Sequence, residues 1–259
     1  MRVLTCNIRL DNIAVDQDNQ WAYRKDCCRD AIRSVEAHII SAQEVGRAQF
    51  LDLKAGLPEY EWFGLVDTVE RRAPMNSIFF RRESFERISA GAYWLSETPH
   101  VPGSKSWDSN CTRLANWVRL LDVESGIELR VVNTHLDHVS QSARENQARL
   151  INEDAAAYPD DYPQILTGDM NAAGDNPVIG LFKEAGWRDT YEAIHGPGDP
   201  GTTFHRFLGP DLDTKGAKLD WIFTKGRIKA LGAEILREPR DGRFPSDHYF
   251  VSADVELLE

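Results

Sequence analysis

The chain has 259 residues, 42% of them hydrophobic and 27% charged, the composition of an ordinary soluble globular protein long enough to bury a substantial core. Its formal net charge is −11 with no basic run and no basic stripe interleaved with aromatics, which argues against tight, sequence-independent gripping of a nucleic-acid backbone. No apolar run approaches the roughly 20 residues of a membrane span, and the opening MRVLTCNIRL lacks the pattern of a cleaved leader, so a cytoplasmic location is expected. The 4 cysteines (Cys6, Cys27, Cys28, Cys111) form no C-x-x-C pair and read as reduced, structural thiols.

Residues 2–9 alternate as a strand does, with Leu4, Cys6 and Ile8 on one side and Val3, Thr5 and Asn7 on the other. Trp21, Cys28, Ala31, Ile32 and Val35 then follow helical spacing and predict an amphipathic helix over about 20–37. Residues 39–44 are a buried strand with Glu44 at its tip, and a second helix covers 47–55, stopping before Gly56 and Pro58. Strand signals follow at 60–66, 76–80, 112–123 and 127–135, with a long Pro-, Gly- and Ser-punctuated loop over 95–111. A helix over 141–157 precedes a strand at 164–169, a helix at 177–185 and strands at 219–224, 228–236 and 248–256. Many strands with few helices favour two packed sheets flanked by helices over a doubly wound sheet. Because the candidate chemical residues run from Asn7 to His248, one domain over 1–259 is expected to gather them.

Several of these strands end in polar, potentially ligating residues. In the run VVNTHLDH, Asn133, His135 and Asp137 share one face, while His138, three residues after His135, should face the other way. That spacing counts against a two-histidine zinc site. Asp169 and Asn171, two apart, can point into one cleft while Met170 turns to the core. Asp220 sits in the otherwise apolar strand LDWIF; a buried carboxylate is costly unless paired, so a histidine partner is expected. Asp247 and His248 can converge only in a turn, which the preceding Pro245-Ser246 permits. Each feature alone has a plainer explanation: a strand-end Asn is usually a turn former, and a lone Glu is usually solvated. Their joint occurrence at successive strand ends is not so easily explained.

The ordered set Thr5-Cys6-Asn7, Gln43-Glu44, Asn133-Thr134-His135-Leu136-Asp137-His138, Gly168-Asp169-Met170-Asn171, Leu219-Asp220-Trp221-Ile222-Phe223 and Ser246-Asp247-His248 resembles the endonuclease/exonuclease/phosphatase superfamily over essentially the whole chain. Its members include deoxyribonuclease I, abasic-site endonucleases, inositol polyphosphate phosphatases and neutral sphingomyelinases. The stretches 94–99 (WLSETP), 102–104 (PGS) and Trp107-Asp108 are similar to a compact bacterial branch of that superfamily. The resemblance implies a deoxyribonuclease I-like α/β (α+β) fold, a four-layer sandwich of two packed mixed sheets flanked by helices. It also implies hydrolysis of phosphate esters by water attack at phosphorus, with Mg²⁺ or Mn²⁺ as cofactor. By the same resemblance Asn7 and Glu44 are metal ligands and Asp247 assists through a water, in keeping with the taste of a hard ion for oxygen. Asp169 would orient and deprotonate the water, Asn171 would donate to a phosphoryl oxygen, and His248, held by Asp220, would stabilise developing charge or act as the base. His135 would donate to a phosphate oxygen or protonate the leaving group.

One departure stands out. Relatives carry a glutamate that supports the histidine matching His135, and Pro74 occupies its place here; Glu70 or Asp137 is left to substitute. Arg113 is a candidate phosphate contact, while His205 and Trp107 are candidate cleft residues with packing as the plainer role. Loops 95–111 and 196–216 are where specificity is expected. The expected activity is a phosphodiesterase or phosphomonoesterase acting on a small or lipid-like phosphorylated molecule. The rival readings are a nuclease acting on DNA or RNA and an inactive scaffold that keeps the fold.

Overall fold

A computed structural model describes residues 1–65, 75–198, 201–211 and 217–259. It contains two six-stranded mixed sheets. The first has the order β11-β12-β1-β2-β4-β3, from strands β1 (Arg2–Asn7), β2 (Ile39–Gln43), β3 (Tyr60–Phe63), β4 (Ile78–Arg81), β11 (Ile228–Leu236) and β12 (Phe250–Leu257). The second has the order β5-β6-β7-β8-β10-β9, from β5 (Phe85–Trp94), β6 (Leu114–Asp122), β7 (Glu128–His135), β8 (Gln164–Asp169), β9 (Arg188–Asp189) and β10 (Asp220–Lys225). Helices α1 (Trp21–Ser34) and α2 (Arg47–Gly56) cover the outer face of the first sheet, and α3 (Gln141–Ala155) and α4 (Pro177–Glu184) that of the second. A short helix α5 (Thr190–His195) lies against β11. No helix among the described residues is long and apolar enough to cross a membrane.

Strand parity builds the four layers. Val3 of β1 joins Ile39, Ile78, Val131, Ile165, Ile222 and Val251 in the core between the sheets. Leu4 and Cys6 turn the other way, onto Trp21, Cys28 and Ile32 of α1. In the second sheet Val132, Leu166, Met170, Trp221 and Phe223 pack outward against Ile151 of α3 and Ile179 and Phe182 of α4. Burying each such side chain contributes roughly 1.5–3 kcal/mol. The helix starts are locally encoded: Ser140 accepts a hydrogen bond from Ala143 N and Asn176 from Val178 N, with Pro177 opening α4.

Most sequence expectations are met to within a few residues, but three elements differ. The ten-residue β5 has no clean alternation, because it is an edge strand, mostly half exposed, with a register shift between Arg87 and Ser89. Short β9 and α5 also carried no periodic signal, and Asp189, which caps α5, marks them only locally.

The inter-sheet layer becomes polar toward one end. Gln43 Nε2 donates to Asn133 Oδ1 across the sandwich at 2.7 Å, and Asn133 Nδ2 donates to the carbonyls of Ala42 and Ser77, each at 3.0 Å. Both amides are fully buried, so the seam is sealed by hydrogen bonds that an apolar contact would not direct. It fixes the two sheets to one another one residue before Glu44 and two before His135.

Candidate active site

The same parity carries the polar strand ends into the gap between the sheets. Asn7 ends β1, parallel to β2 and in register with Gln43. His135 and Asp169 are in register at the ends of the parallel strands β7 and β8, and antiparallel β10 brings Asp220 opposite Asp169. Gly168 makes the last approach possible: at φ +152° a side chain is disfavoured, and an added Cβ would sit 2.2 Å from the Thr134 carbonyl oxygen. Glu44, Asn171 and Arg9 all hold positive φ (58°, 46° and 58°), a concentration of costly backbone around one cleft.

The cleft encloses about 340 Å³ and is lined by Arg9, Leu10, Glu44, Met75, Cys111, Arg113, His135, His138, Asp169, Asn171, Phe204, Leu219, Asp247 and His248. A larger cavity, about 550 Å³, lies beside α1, β11 and β12, but of the clustered polar residues it touches only His248. The smaller, polar cleft is therefore the chemical site.

Asn7 Nδ2 donates to Glu44 Oε1 at 3.1 Å and to Asp169 Oδ2 at 3.0 Å, while its Oδ1 accepts from Arg9 N at 2.9 Å. Glu44 Oε2 accepts from Leu10 N at 2.9 Å. Burial alone would raise the Glu44 carboxyl, but these two donors, with His248 and Arg9 nearby, hold it below its usual value. Asp247 is pushed upward, first by burial, with the Glu44 charge adding to it and His248 and Arg9 opposing. Arg9 Nε lies 3.9 Å from Asp247 Oδ2. Glu44, His135 and Asp169 offer ligand atoms within 4.8 Å of one another. Two carboxylates and an imidazole this close together could hold a divalent metal ion.

Asp169 is pushed up to about 7, mainly by burial and then by Asp220, against the pull of His248, Asn171 N and Asn7. Behind it, His248 Nδ1 donates to Asp220 Oδ2 at 2.8 Å, and His248 Nε2 lies 3.8 Å from Asp169 Oδ2. Burial opposes charge on His248, yet Asp220, Asp169 and Asp247 outweigh it and raise the imidazole well above its ordinary value. The expected carboxylate–histidine pair is thus present. Thr203, which no sequence signal marked, fixes it: its Oγ1 accepts from Leu219 N and Asp220 N at 2.9 and 3.2 Å, and Tyr249 N donates to its carbonyl.

His135 is different. Asn171 Nδ2 donates to Leu136 O at 3.0 Å, which aims the amide at His135 Nε2, 2.9 Å away. His135 Nδ1 has no partner among the described residues. Burial first, then Arg113, His248 and His138, hold this imidazole well below its ordinary value, so it is neutral.

Four sequence expectations are revised. Asp137 is not the carboxylate behind His135: its Oδ2 accepts from Ser109 Oγ and Asn110 N, and its Oδ1 from Val139 N and Ser140 N, so it ties the 107–111 loop to the start of α3. Those donors outweigh the upward push of burial and hold it at about 2. Pro74 and Glu70 lie outside the described residues. His138 does not face away from His135, because β7 ends at His135 and the chain turns; Arg113 Nη2 lies 3.3 Å from His138 Nδ1 on the cleft wall. His205 does not reach the cleft: it is 1% exposed, stacked on Tyr249 at 3.9 Å, and burial drives its ring down to about 4. Only its backbone serves the site, His205 N donating to Asp247 O at 2.9 Å. Trp107 is not among the cleft residues either; its carbonyl accepts from Ser140 Oγ.

A family model described as the endonuclease/exonuclease/phosphatase family matches residues 4–248. Among solved structures, an endonuclease/exonuclease/phosphatase from Bacteroides vulgatus is similar at 32% identity, covering 99% of this chain and 98% of its own, with a TM-score of 0.90. A mannosyl-6-phosphatase from Bacteroides thetaiotaomicron is similar at 27% identity, covering 99% and 100%, with a TM-score of 0.88. A D. rerio TDP2 complexed with a single-strand DNA product shares the fold at 16% identity, covering 99% of each chain, with a TM-score of 0.77. No curated protein sequence matches the chain.

Proposed function

The chain belongs to the endonuclease/exonuclease/phosphatase family, and from that premise we propose that it is a Mg²⁺- or Mn²⁺-dependent phosphoesterase acting on a small phosphorylated molecule. The observation that carries this reading is the placement of Asp169 between Asn7, at 3.0 Å, and the Asp220-backed His248, at 3.8 Å, at the floor of a polar cleft. A carboxyl pushed up to about 7 is matched to taking a proton near neutrality. His248, kept protonated by Asp220, is unsuited to be the base and suited to stabilise charge.

In this mechanism Asp169 orients a water in line with the ester bond and accepts its proton as the water oxygen bonds to phosphorus and the P–O ester bond breaks, the leaving oxygen taking its proton from solvent. The His248 imidazolium donates to phosphoryl oxygens as their charge grows. Asn7 and Glu44, with Asp247 assisting, would hold a divalent ion, which would supply Lewis-acid charge neutralisation. His135, its charge disfavoured by burial, accepts from Asn171 and holds that amide in place; it is not the general acid. The Arg113 guanidinium, donating to His138 Nδ1 at 3.3 Å, supplies positive charge on the cleft wall for the rest of an anionic substrate. A cleft of about 340 Å³ suits a compact substrate, and the likeness to a mannosyl-6-phosphatase supports a phosphorylated sugar or similar monoester over a polymer.

The test is hydrolysis of a panel comprising sugar phosphates, p-nitrophenyl phosphate, bis(p-nitrophenyl) phosphate, inositol phosphates, sphingomyelin and DNA, each with Mg²⁺, Mn²⁺ or EDTA. EDTA-sensitive turnover, fastest on a small monoester, is expected. Turnover that ignores EDTA would overturn the metal reading. Preference for DNA would make the protein a nuclease, and a folded protein inert throughout would be a scaffold.

A further inference from the structure

Glu44 and Asp247 on the cleft wall, and Asn7 just behind Glu44, come from three separate chain segments, and among the described residues no side-chain hydrogen bond joins Asp247 to the other two. What joins them lies one layer back. Arg24, on α1, is 0% exposed, and all of its side-chain hydrogen bonds among the described residues go to carbonyl oxygens. Nη1 donates to Ile8 O at 2.5 Å and to Pro245 O at 3.1 Å; Nη2 donates to Arg9 O at 2.5 Å; Nε donates to Asn19 O at 2.8 Å. The rings of Trp21 and Phe207 flank it at 5.1 and 5.8 Å.

These carbonyls belong to the peptides that present the wall. Ile8 and Arg9 follow Asn7, and it is Arg9 N and Leu10 N that hold Asn7 Oδ1 and Glu44 Oε2. Pro245 lies two residues before Asp247. Arg9 needs such fixing, because its φ of 58° is disfavoured for a side chain of that kind.

We propose that Arg24 is a positioning residue for divalent-cation binding: its guanidinium clamps the Ile8–Arg9 stretch after Asn7 to Pro245 before Asp247 and so sets the spacing of the Asn7, Glu44 and Asp247 side chains. This rests on the metal reading above. The alternative is that Arg24 only stabilises the fold, as a buried cation with satisfied donors also would. The two differ in what Arg24→Lys does. Lysine keeps the charge but offers a single ammonium, which cannot bridge carbonyls spread over a planar fork. The long-range field at the site is preserved while the clamp is broken.

Metal affinity is to be measured calorimetrically with Mn²⁺ on wild type, Arg24→Lys and Arg24→Gln, each first checked for a cooperative melt. Weakening of Mn²⁺ binding by Arg24→Lys of at least about tenfold is expected, the scale found when the partners of metal ligands are removed. The Mn²⁺-induced rise in melting temperature should shrink in parallel, while the pH profile set by Asp169 and His248 keeps its midpoint. Equal Mn²⁺ affinity in wild type and both folded variants overturns the inference alone. Absence of Mn²⁺ binding to wild type overturns the metal reading and the inference with it. If neither variant melts cooperatively, Arg24 is a structural residue and the assignment is overturned.

Discussion

The two walls of the cleft each present a buried histidine to Asp169, and the two are in opposite states. His248 Nε2 lies 3.8 Å from Asp169 Oδ2 and His135 Nε2 lies 3.4 Å from the same oxygen, with 6% side-chain exposure for both. Burial disfavours charge on either ring. On one wall Asp220 accepts from Nδ1 at 2.8 Å and reverses that effect; on the other, Nδ1 has no partner among the described residues and burial prevails. The carboxylates around His248, Asp220 first and then Asp169 and Asp247, outweigh its desolvation, whereas Arg113, His248 and His138 add to the desolvation of His135.

The largest expected effect comes from making the walls alike. Asp220→Asn leaves a neutral partner behind His248, and turnover should fall on the order of a thousandfold with the fold kept. A loss no greater than that of a His135 variant would break the comparison. Asp169→Asn should cost at least about a hundredfold in turnover while stabilising the metal-free protein by about 1 kcal/mol. The sign follows from linkage. Asp169 ionises near 3.8 when unfolded and near 7 when folded, so metal-free stability falls as pH rises between those values, and the asparagine variant should flatten that slope. Melting curves in EDTA across that range check it.

His135→Gln should lower turnover only about tenfold, the worth of one neutral hydrogen bond; a loss matching that of Asp220→Asn would restore His135 as an acid. The smallest effect is spectroscopic. Followed by NMR of the ring protons, His248 should titrate well above 6.5 and His135 well below it. Correspondingly, stability from His248 is complete below about 6.5 and lost as pH rises through its folded value. Stability from His135 is present above about 6.5 and lost as pH falls through its folded value.

Much of the site could be read from the chain because strand parity is a local property. Asn133 and His135 share a side whatever the rest of the fold does. The pairing of Asp220 with a histidine was legible for the same reason: a carboxylate among Trp221, Ile222 and Phe223 has to be neutralised. His138 misled because the period-2 rule ends where β7 ends. For His205 the plainer packing role holds, with Tyr249 and Phe244 enclosing the ring. Arg24 carried a signal that went unused, a charged residue on the stripe that Trp21 and Cys28 mark as buried.

The sequence by itself determined the alternating strands, the amphipathic helices, two packed sheets flanked by helices and the set of strand-end residues, since period and burial preference act over a few neighbouring residues, while the four-layer class came from the resemblance of those strand ends to a known family. Only the tertiary structure decided which carboxylate serves which histidine, which of Asp137, His138 and His205 faces the cleft, and which buried cation holds the wall together. Those outcomes depend on distances of a few ångströms between segments as many as 221 residues apart, as from Arg24 to Pro245. Hydrogen bonds and charge–charge effects at such distances are fixed by packing of both sheets together, not by any local pattern.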